Sequence, residues 1–298
     1  MNLSSKAPAL LLRAHVMTEL RAFFVERDYL EVETPIRVKT PAMEDHIDAE
    51  ASGNHWLRTS PELHMKRLVC AGYKKIFQIG PCFRQGERGD RHLPEYTMLE
   101  WYWTGVDSTE LISETHDLLR RVASVTGETI FGGVDLSAEP KVITIREAFE
   151  KWAGWNPIGN FDENRFDLDL TERVEPELAK CKEPVILKEF PVERAALARR
   201  APTNPATADR WEMYLGGIEI ANAYTELTVA DEQRKRFQTC AQERESRGQD
   251  VYPLDEPFLE AMEKGMPTCA GIALGVDRLL MRLSDSDKIS DVVAFPEG

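Results

Sequence analysis

The run Tyr96-Thr97-Met98-Leu99-Glu100-Trp101-Tyr102-Trp103 constrains the fold more than any other stretch of this 298-residue chain. Side chains alternate across a β-strand. Tyr96, Met98, Glu100 and Tyr102 therefore share one face, and Leu99, Trp101 and Trp103 the other. A face with two tryptophans requires a covering layer. The opposite face sets a carboxylate between tyrosines, and it is either a lined pocket able to receive an amine or an exposed mixed surface.

The flanking segments supply the covering layers. Leu12, Val16, Leu20, Phe23 and Phe24 recur at helical spacing between Ala9 and Arg27, ahead of a short strand Tyr29–Glu33 closed by Thr34-Pro35. Residues 47–57 read as a hairpin turning at Ser52-Gly53-Asn54. Pro61 sits just inside a helix that Thr59 or Ser60 is placed to cap. Lys75–Arg84 and Glu95–Trp103 read as strands joined by the charged segment 85–94, and a helix capped by Ser108 runs to Val125. Residues 127–140 read as a loop, and 155–205 as a less regular insertion holding one apolar strand, Val185–Phe190. Trp211–Leu215 pairs with Ile218–Ala223 across Gly216-Gly217, a helix spans 230–247, and Ala270–Leu274 enters a helix at Val276–Leu283. Strands outnumber parallel crossovers, so the expected class is α+β: one antiparallel sheet flanked by helices, in a single domain over 1–298.

Two junctions carry further chemistry. An unbroken hairpin register sets Tyr214 opposite Glu219 and Glu212 opposite Ala221, leaving Glu212 and Glu219 diagonal on one face at roughly 7 Å. Such a pair either shares a cation, for which Mg2+ is the natural candidate, or is simply solvated. Gly275-Val276-Asp277-Arg278 joins a buried strand to a helix. An arginine at a helix start suits a phosphate, although Asp277 and Arg278 also read as a surface pair.

Charge limits the partners. Fifty-one acidic against 37 basic residues give −14, with only short, scattered basic clusters and no basic stripe of the kind that binds duplexes, so bulk nucleic-acid binding, DNA included, is not expected. A cationic substrate and a solvated acidic surface account for the sign equally well. The apolar runs are too short for a membrane span and no export signal is visible. Cys70, Cys82, Cys181, Cys240 and Cys269 form no CxxC pair, which predicts reduced thiols in a cytoplasmic protein.

Taken in order, three segments resemble the signature motifs of class II aminoacyl-tRNA synthetases: Arg13–Pro35, then Phe83-Arg84 with His92–Tyr102, then Gly271–Arg278. Thr59–Leu68 and Gly217–Glu226 are similar to the lysine-specific branch. The first motif begins within the opening dozen or so residues, leaving no room for an N-terminal anticodon-binding OB domain, and with the acidic balance this implies that tRNA is not a partner. The resemblance is therefore to truncated paralogues of that branch, which activate (R)-β-lysine with ATP and transfer it to a lysine of translation elongation factor P. Ser60 agrees with that reading, since the tRNA-charging enzymes typically carry alanine there and a shifted amino group requires a differently shaped floor.

The resemblance implies a role for each matching position. Arg84 holds the ATP α-phosphate and the substrate carboxylate, Arg278 the γ-phosphate, and these two are the catalytic residues. Tyr96 stacks on adenine, while His92, Glu219, Ile220 and Gly275 complete the nucleotide site. Glu212 and Glu219 carry Mg2+. Ser60, Pro61 and Glu62 meet the amino-acid backbone, Asn222 its carboxylate, and Glu100, Tyr102 and Glu226 its side-chain ammonium. The family's Arg-Asn-Glu is Arg84-Gln85-Gly86 here, with Glu87 placed to substitute, Leu93 stands for a usual asparagine, and Ala223-Tyr224 for Gly-Phe. A homodimer is also implied. Two other functions remain open at this point: a lysine-type ligase with a different acceptor, and a catalytically silent regulatory paralogue.

Overall fold

A computed structural model describes residues 3–296. Its frame is an eight-stranded sheet whose strands, in chain order, are β1 (Leu30–Glu31), β2 (Lys75–Phe83), β3 (Glu95–Thr104), β4 (Lys141–Thr144), β5 (Val185–Lys188), β6 (Arg210–Leu215), β7 (Ile218–Thr225) and β8 (Cys269–Gly275). Across the sheet they lie in the order β1-β2-β3-β8-β7-β6-β5-β4. The pairings are antiparallel except at the two edges, where β1 runs parallel to β2 and β4 parallel to β5. The apolar strand of the 155–205 segment is thus part of the main sheet, hydrogen-bonded between β4 and β6.

Helices cover both faces. On one side α1 (Ala7–Val25), α3 (Ser108–Ala123) and α7 (Val276–Leu283) pack their apolar stripes on Leu99, Trp101, Ile272 and Leu274. On the other, α2 (Glu62–Cys70), α5 (Ala230–Ser246) and α6 (Glu256–Glu263) cover Ile76, Tyr102 and Cys269. A third cluster centres on Phe149 of α4 (Ile145–Trp152) with Phe166 and Phe190, and includes Tyr214. Between α1 and α3, the buried Glu114 carboxylate accepts hydrogen bonds from Tyr29 Oη at 2.9 Å and Trp101 Nε1 at 3.0 Å. That ties α3 and the segment after α1 to β3.

Several local expectations change. Asp107, not Ser108, caps α3, because its carboxylate accepts from Thr109 N while Glu110 reaches back to Asp107 N. Ser108 is buried and donates to Asp209 instead. Neither Thr59 nor Ser60 caps α2. Pro61 occupies that position, and both hydroxyls are buried without a partner among the described residues. Residues 127–140 are not all loop, since Ile130–Phe131 pairs with Val134–Asp135. Strand lengths also shrink at the start of the chain: Tyr29–Glu33 reduces to β1, and the 47–57 hairpin to Ala51–Ser52 and His55–Leu57.

The β6–β7 hairpin departs from the unbroken register. Tyr214 faces Glu219 as expected, but a bulge then sets Met213 opposite Ala221 and Glu212 opposite Asn222. Strict alternation places Glu219 and Asn222 on opposite faces. The extra residue restores both to the same face, which is what a bulge does.

Candidate active site

The site face is readable row by row. Antiparallel registers align Glu100, Ala273, Asn222 and Glu212 across β3, β8, β7 and β6, and align Tyr102, Gly271, Tyr224 and Arg210 in the next row. Beyond Cys269, the strand β8 contributes the small residues Gly271, Ala273 and Gly275 to this face, while Ala270, Ile272 and Leu274 belong to the core, with Ile272 also reaching the cavity. A floor of small residues between taller walls is a cavity, and these three line it with Tyr96, Glu100 and Tyr102. The alternative of an exposed mixed face is thereby excluded. Gly271 is required sterically: a Cβ there falls 2.3 Å from the Tyr102 ring and 2.4 Å from Glu226 Oε1.

One end of the cavity is acidic. Tyr102 Oη donates to Glu100 Oε1 at 2.7 Å. Lys66, one turn along α2 from Glu62, places Nζ 2.5 Å from Glu62 Oε1 and 2.5 Å from Glu226 Oε2. The contact to Glu226 is an ion pair off the hydrogen-bonding directions of that oxygen. Burial pushes Glu226 up to about 8 and also raises Glu100, whose neighbour Glu62 adds to the effect. Burial alone disfavours the Lys66 ammonium, but Glu226 and Glu62 outweigh it and hold its pKa above the ordinary lysine value. Three carboxylates face one ammonium, so the ionised site is short of positive charge. A ligand bearing two amino groups supplies what is missing.

The other end is cationic. Arg84 follows β2, and its guanidinium lies 5.2 Å from the centre of the Tyr96 ring and 3.6 Å from Glu87. Tyr96 Oη donates to Thr59 O. In the first turn of α7, Arg278 donates to Glu219 O at 3.0 Å and Glu219 Oε2 at 3.1 Å, and its Nη2 lies 2.5 Å from His92 Nε2. Burial and the adjacent Arg278 lower the His92 pKa, so a neutral ring accepts that bond. Asp277 is no surface partner of Arg278. It turns inward, accepting from Arg13 at 2.5 Å and Thr97 N at 2.7 Å, and so fastens α1 to β3 and α7.

The cavity gathers Ser60, Glu62, Arg84, Glu87, His92 and Tyr96 with Glu100, Tyr102, Glu219, Ile220, Asn222, Glu226, Gly275 and Arg278. Pro61 is buried behind it at the start of α2. Glu212 shares the Glu219 face but lines the adjoining cleft, where its oxygens accept from Arg210 Nη2 at 2.5 Å and Tyr214 Oη at 2.6 Å. Burial, then Glu219, raises the Glu212 pKa. Asn222 accepts from Arg210 Nε and donates to Tyr224 Oη. Sequence reasoning missed Lys66, Gly271, Glu44 and Glu175. The glycine alternation of β8 signals Gly271, but nothing local signals the others. Glu175 comes from the 155–205 segment, and burial raises it to about 7 beside Arg91, Glu212 and Glu219.

The family model described as tRNA synthetases class II (D, K and N) matches residues 3–298. The chain belongs to this class II synthetase family. Within it, an elongation factor P--(R)-beta-lysine ligase of Haemophilus influenzae is 40% identical, over 96% of this chain and 94% of the relative. Proteins of the same description from Mannheimia succiniciproducens and Yersinia enterocolitica are 37% and 39% identical, covering 98% and 97% of this chain and 96% and 95% of theirs. The α+β architecture and the largely antiparallel sheet are those of the class II catalytic domain.

Proposed function

We propose that this chain activates (R)-β-lysine, or lysine, with ATP as an aminoacyl-adenylate and transfers it to a lysine ε-amino group of translation elongation factor P. The observation that carries the reading is the pairing of an amine-deficient acidic pocket with an arginine-lined end on one sheet face. The near full-length likeness to ligases of that description supports the choice of acceptor. The chain acts as one catalytic unit, with residues 155–205 contributing to the sheet and to the wall near Arg91.

The residues fit a nucleotide. Arg84 Nε is a buried donor without a partner among the described residues, and a Cβ on Gly275 meets nothing nearer than the Arg278 side chain at 3.8 Å. Arg84 is the group to hold the α-phosphate and the substrate carboxylate, stabilising charge as that carboxylate attacks phosphorus. Arg278, oriented by Glu219 and His92, holds the γ-phosphate, and Tyr96 and Ile220 meet the base. Glu212 and Glu219 suit Mg2+, a hard cation that neutralises phosphate charge when bound, since each Glu212 oxygen keeps a second lone pair. Glu62 with the orphaned Ser60 hydroxyl takes the backbone amine, Asn222 the carboxylate, and Glu100, Tyr102 and Glu226 the distal ammonium.

A homodimer through α1 accords with the exposed Leu11 and Val25 on that helix and Leu30 and Ile36 beyond it. No helix among the described residues is long and apolar enough to cross a membrane.

ATP–pyrophosphate exchange across lysine, (R)-β-lysine, (S)-β-lysine and ornithine tests the reading, followed by mass analysis of elongation factor P after incubation with the preferred amino acid. Exchange with a lysine-type amino acid and a mass gain on the factor are expected. Exchange without that gain points to another acceptor, tRNA included, and no exchange at all points to a silent paralogue.

A further inference from the structure

The activation step needs no base, because the attacking carboxylate is already ionised. Transfer is different. A lysine amine has a pKa near ~10.4 and arrives protonated at neutral pH, so some group must take its proton, and none of the residues assigned above does so.

Glu44 is placed for it. It lies in the loop between the short strands Arg37–Val38 and Ala51–Ser52. The wholly buried Arg244 pins that loop, donating to Glu44 O at 2.7 Å, Ile47 O at 3.1 Å and the Asp48 carboxylate. The Glu44 side chain lines the active-site cavity and also the neighbouring cleft, which opens toward Arg194 and Arg236. It therefore stands where the two cavities meet, close enough to Arg84 to feel its charge. Among the described residues its carboxylate makes neither a hydrogen bond nor an ion pair. The side chain is half-buried and its oxygens are not sealed from solvent, so the carboxylate stands free to meet an incoming group.

We propose that Glu44 is the proton acceptor for the incoming lysine amine in the transfer step, an inference that rests on the function proposed above. The ε-ammonium gives a proton to the Glu44 carboxylate, and the freed nitrogen bonds to the acyl carbon. The carbon–oxygen bond to phosphate breaks, and AMP leaves with that electron pair. The surplus proton on nitrogen and the one held by Glu44 both pass to water. The surroundings suit the task. Burial raises the Glu44 pKa to about 7; Arg84 opposes the rise, and Glu62, Glu87 and Asp45 add to it. Tyr96 and Tyr224 feel the same charge from the site walls. A base poised near operating pH is ionised yet has useful proton affinity.

The test uses the full chain with preformed aminoacyl-adenylate in single turnover, offered elongation factor P, n-butylamine or hydroxylamine. The first two bring an amine protonated at pH 7, whereas hydroxylamine is already neutral. Glu44→Gln is expected to slow transfer to both protonated amines by about a hundredfold or more, far beyond its effect on hydroxylamine capture. Wild-type transfer should rise with pH through an inflexion near 7 that the variant lacks, and Glu44→Asp should recover part of the rate. Equal slowing with all three acceptors, or an equal loss in pyrophosphate exchange, overturns the proposal and makes Glu44 a ligand of the substrate amine. No slowing also overturns it. If wild-type enzyme acylates butylamine but not elongation factor P, the acceptor reading fails while the butylamine comparison still decides on Glu44.

Discussion

Lys66 Nζ stands 2.5 Å from Glu226 Oε2, both side chains almost wholly buried, and the same ammonium reaches Glu62. The chain thus carries inside its own site a cation that fixes two carboxylates. Removing one member of a buried ion pair leaves the other uncompensated. Lys66→Met is expected to cost about 3–5 kcal/mol in urea unfolding and to weaken amino-acid use more than ATP use in exchange assays. Adding Glu226→Gln to it should recover part of the lost stability, since the surviving charge is then removed too. Strict additivity would show that the two groups are not coupled.

Arg278 forks between Glu219 and His92, a geometry that a lysine cannot reproduce. Arg278→Lys should lower exchange by about a hundredfold or more while moving the unfolding midpoint little. A large stability loss with exchange preserved per folded molecule would assign this residue to the scaffold.

Gly271 has no space for a side chain between Tyr102 and Glu226. Gly271→Ala should destabilise by about 1–3 kcal/mol and raise KM for the amino acid, because Tyr102 or Glu226 must move. Thermal unfolding and exchange kinetics together check this, and an unchanged KM would mean that the walls yield elsewhere.

Stability without ligand should fall as pH rises from about 5 to 8. Burial lifts Glu44 and Glu175 to about 7, against an ordinary value of 4.5. Across that window the folded state binds more protons than the unfolded one, so the slope of stability with pH is negative. Glu175→Gln removes one such group and should flatten the slope between pH 5 and 7. Lysine, which requires ionised carboxylates, should raise Tm more at pH 8 than at pH 6. The reverse order would mean that the acidic end is already ionised at pH 6.

Much of this was legible one segment at a time. The alternation in Tyr96–Trp103 assigned one face to the core, as the burial of Leu99 and Trp101 bears out, and left the other open between pocket and exposed surface until the cavity decided it. The family motifs pointed to Arg84 and Arg278, and both line the cavity. Two errors came from applying local rules where a neighbour in space intervenes. Ser108 reads as a cap until Asp209 claims its hydroxyl, and the unbroken hairpin register ignores the bulge beside Ile220.

The amino-acid order alone determined which residues alternate, where helices begin and which arginines accompany strand ends, since these depend on bonds and periodicities within a few residues. Tertiary structure alone decided that Lys66 neutralises Glu226, 160 positions away in the chain, and that Glu44 borders the cavity without a partner. It also brought Glu175 beside Glu212 and Glu219. Charge, burial and steric exclusion act through space between segments that the fold joins, and no local pattern encodes which segments those are.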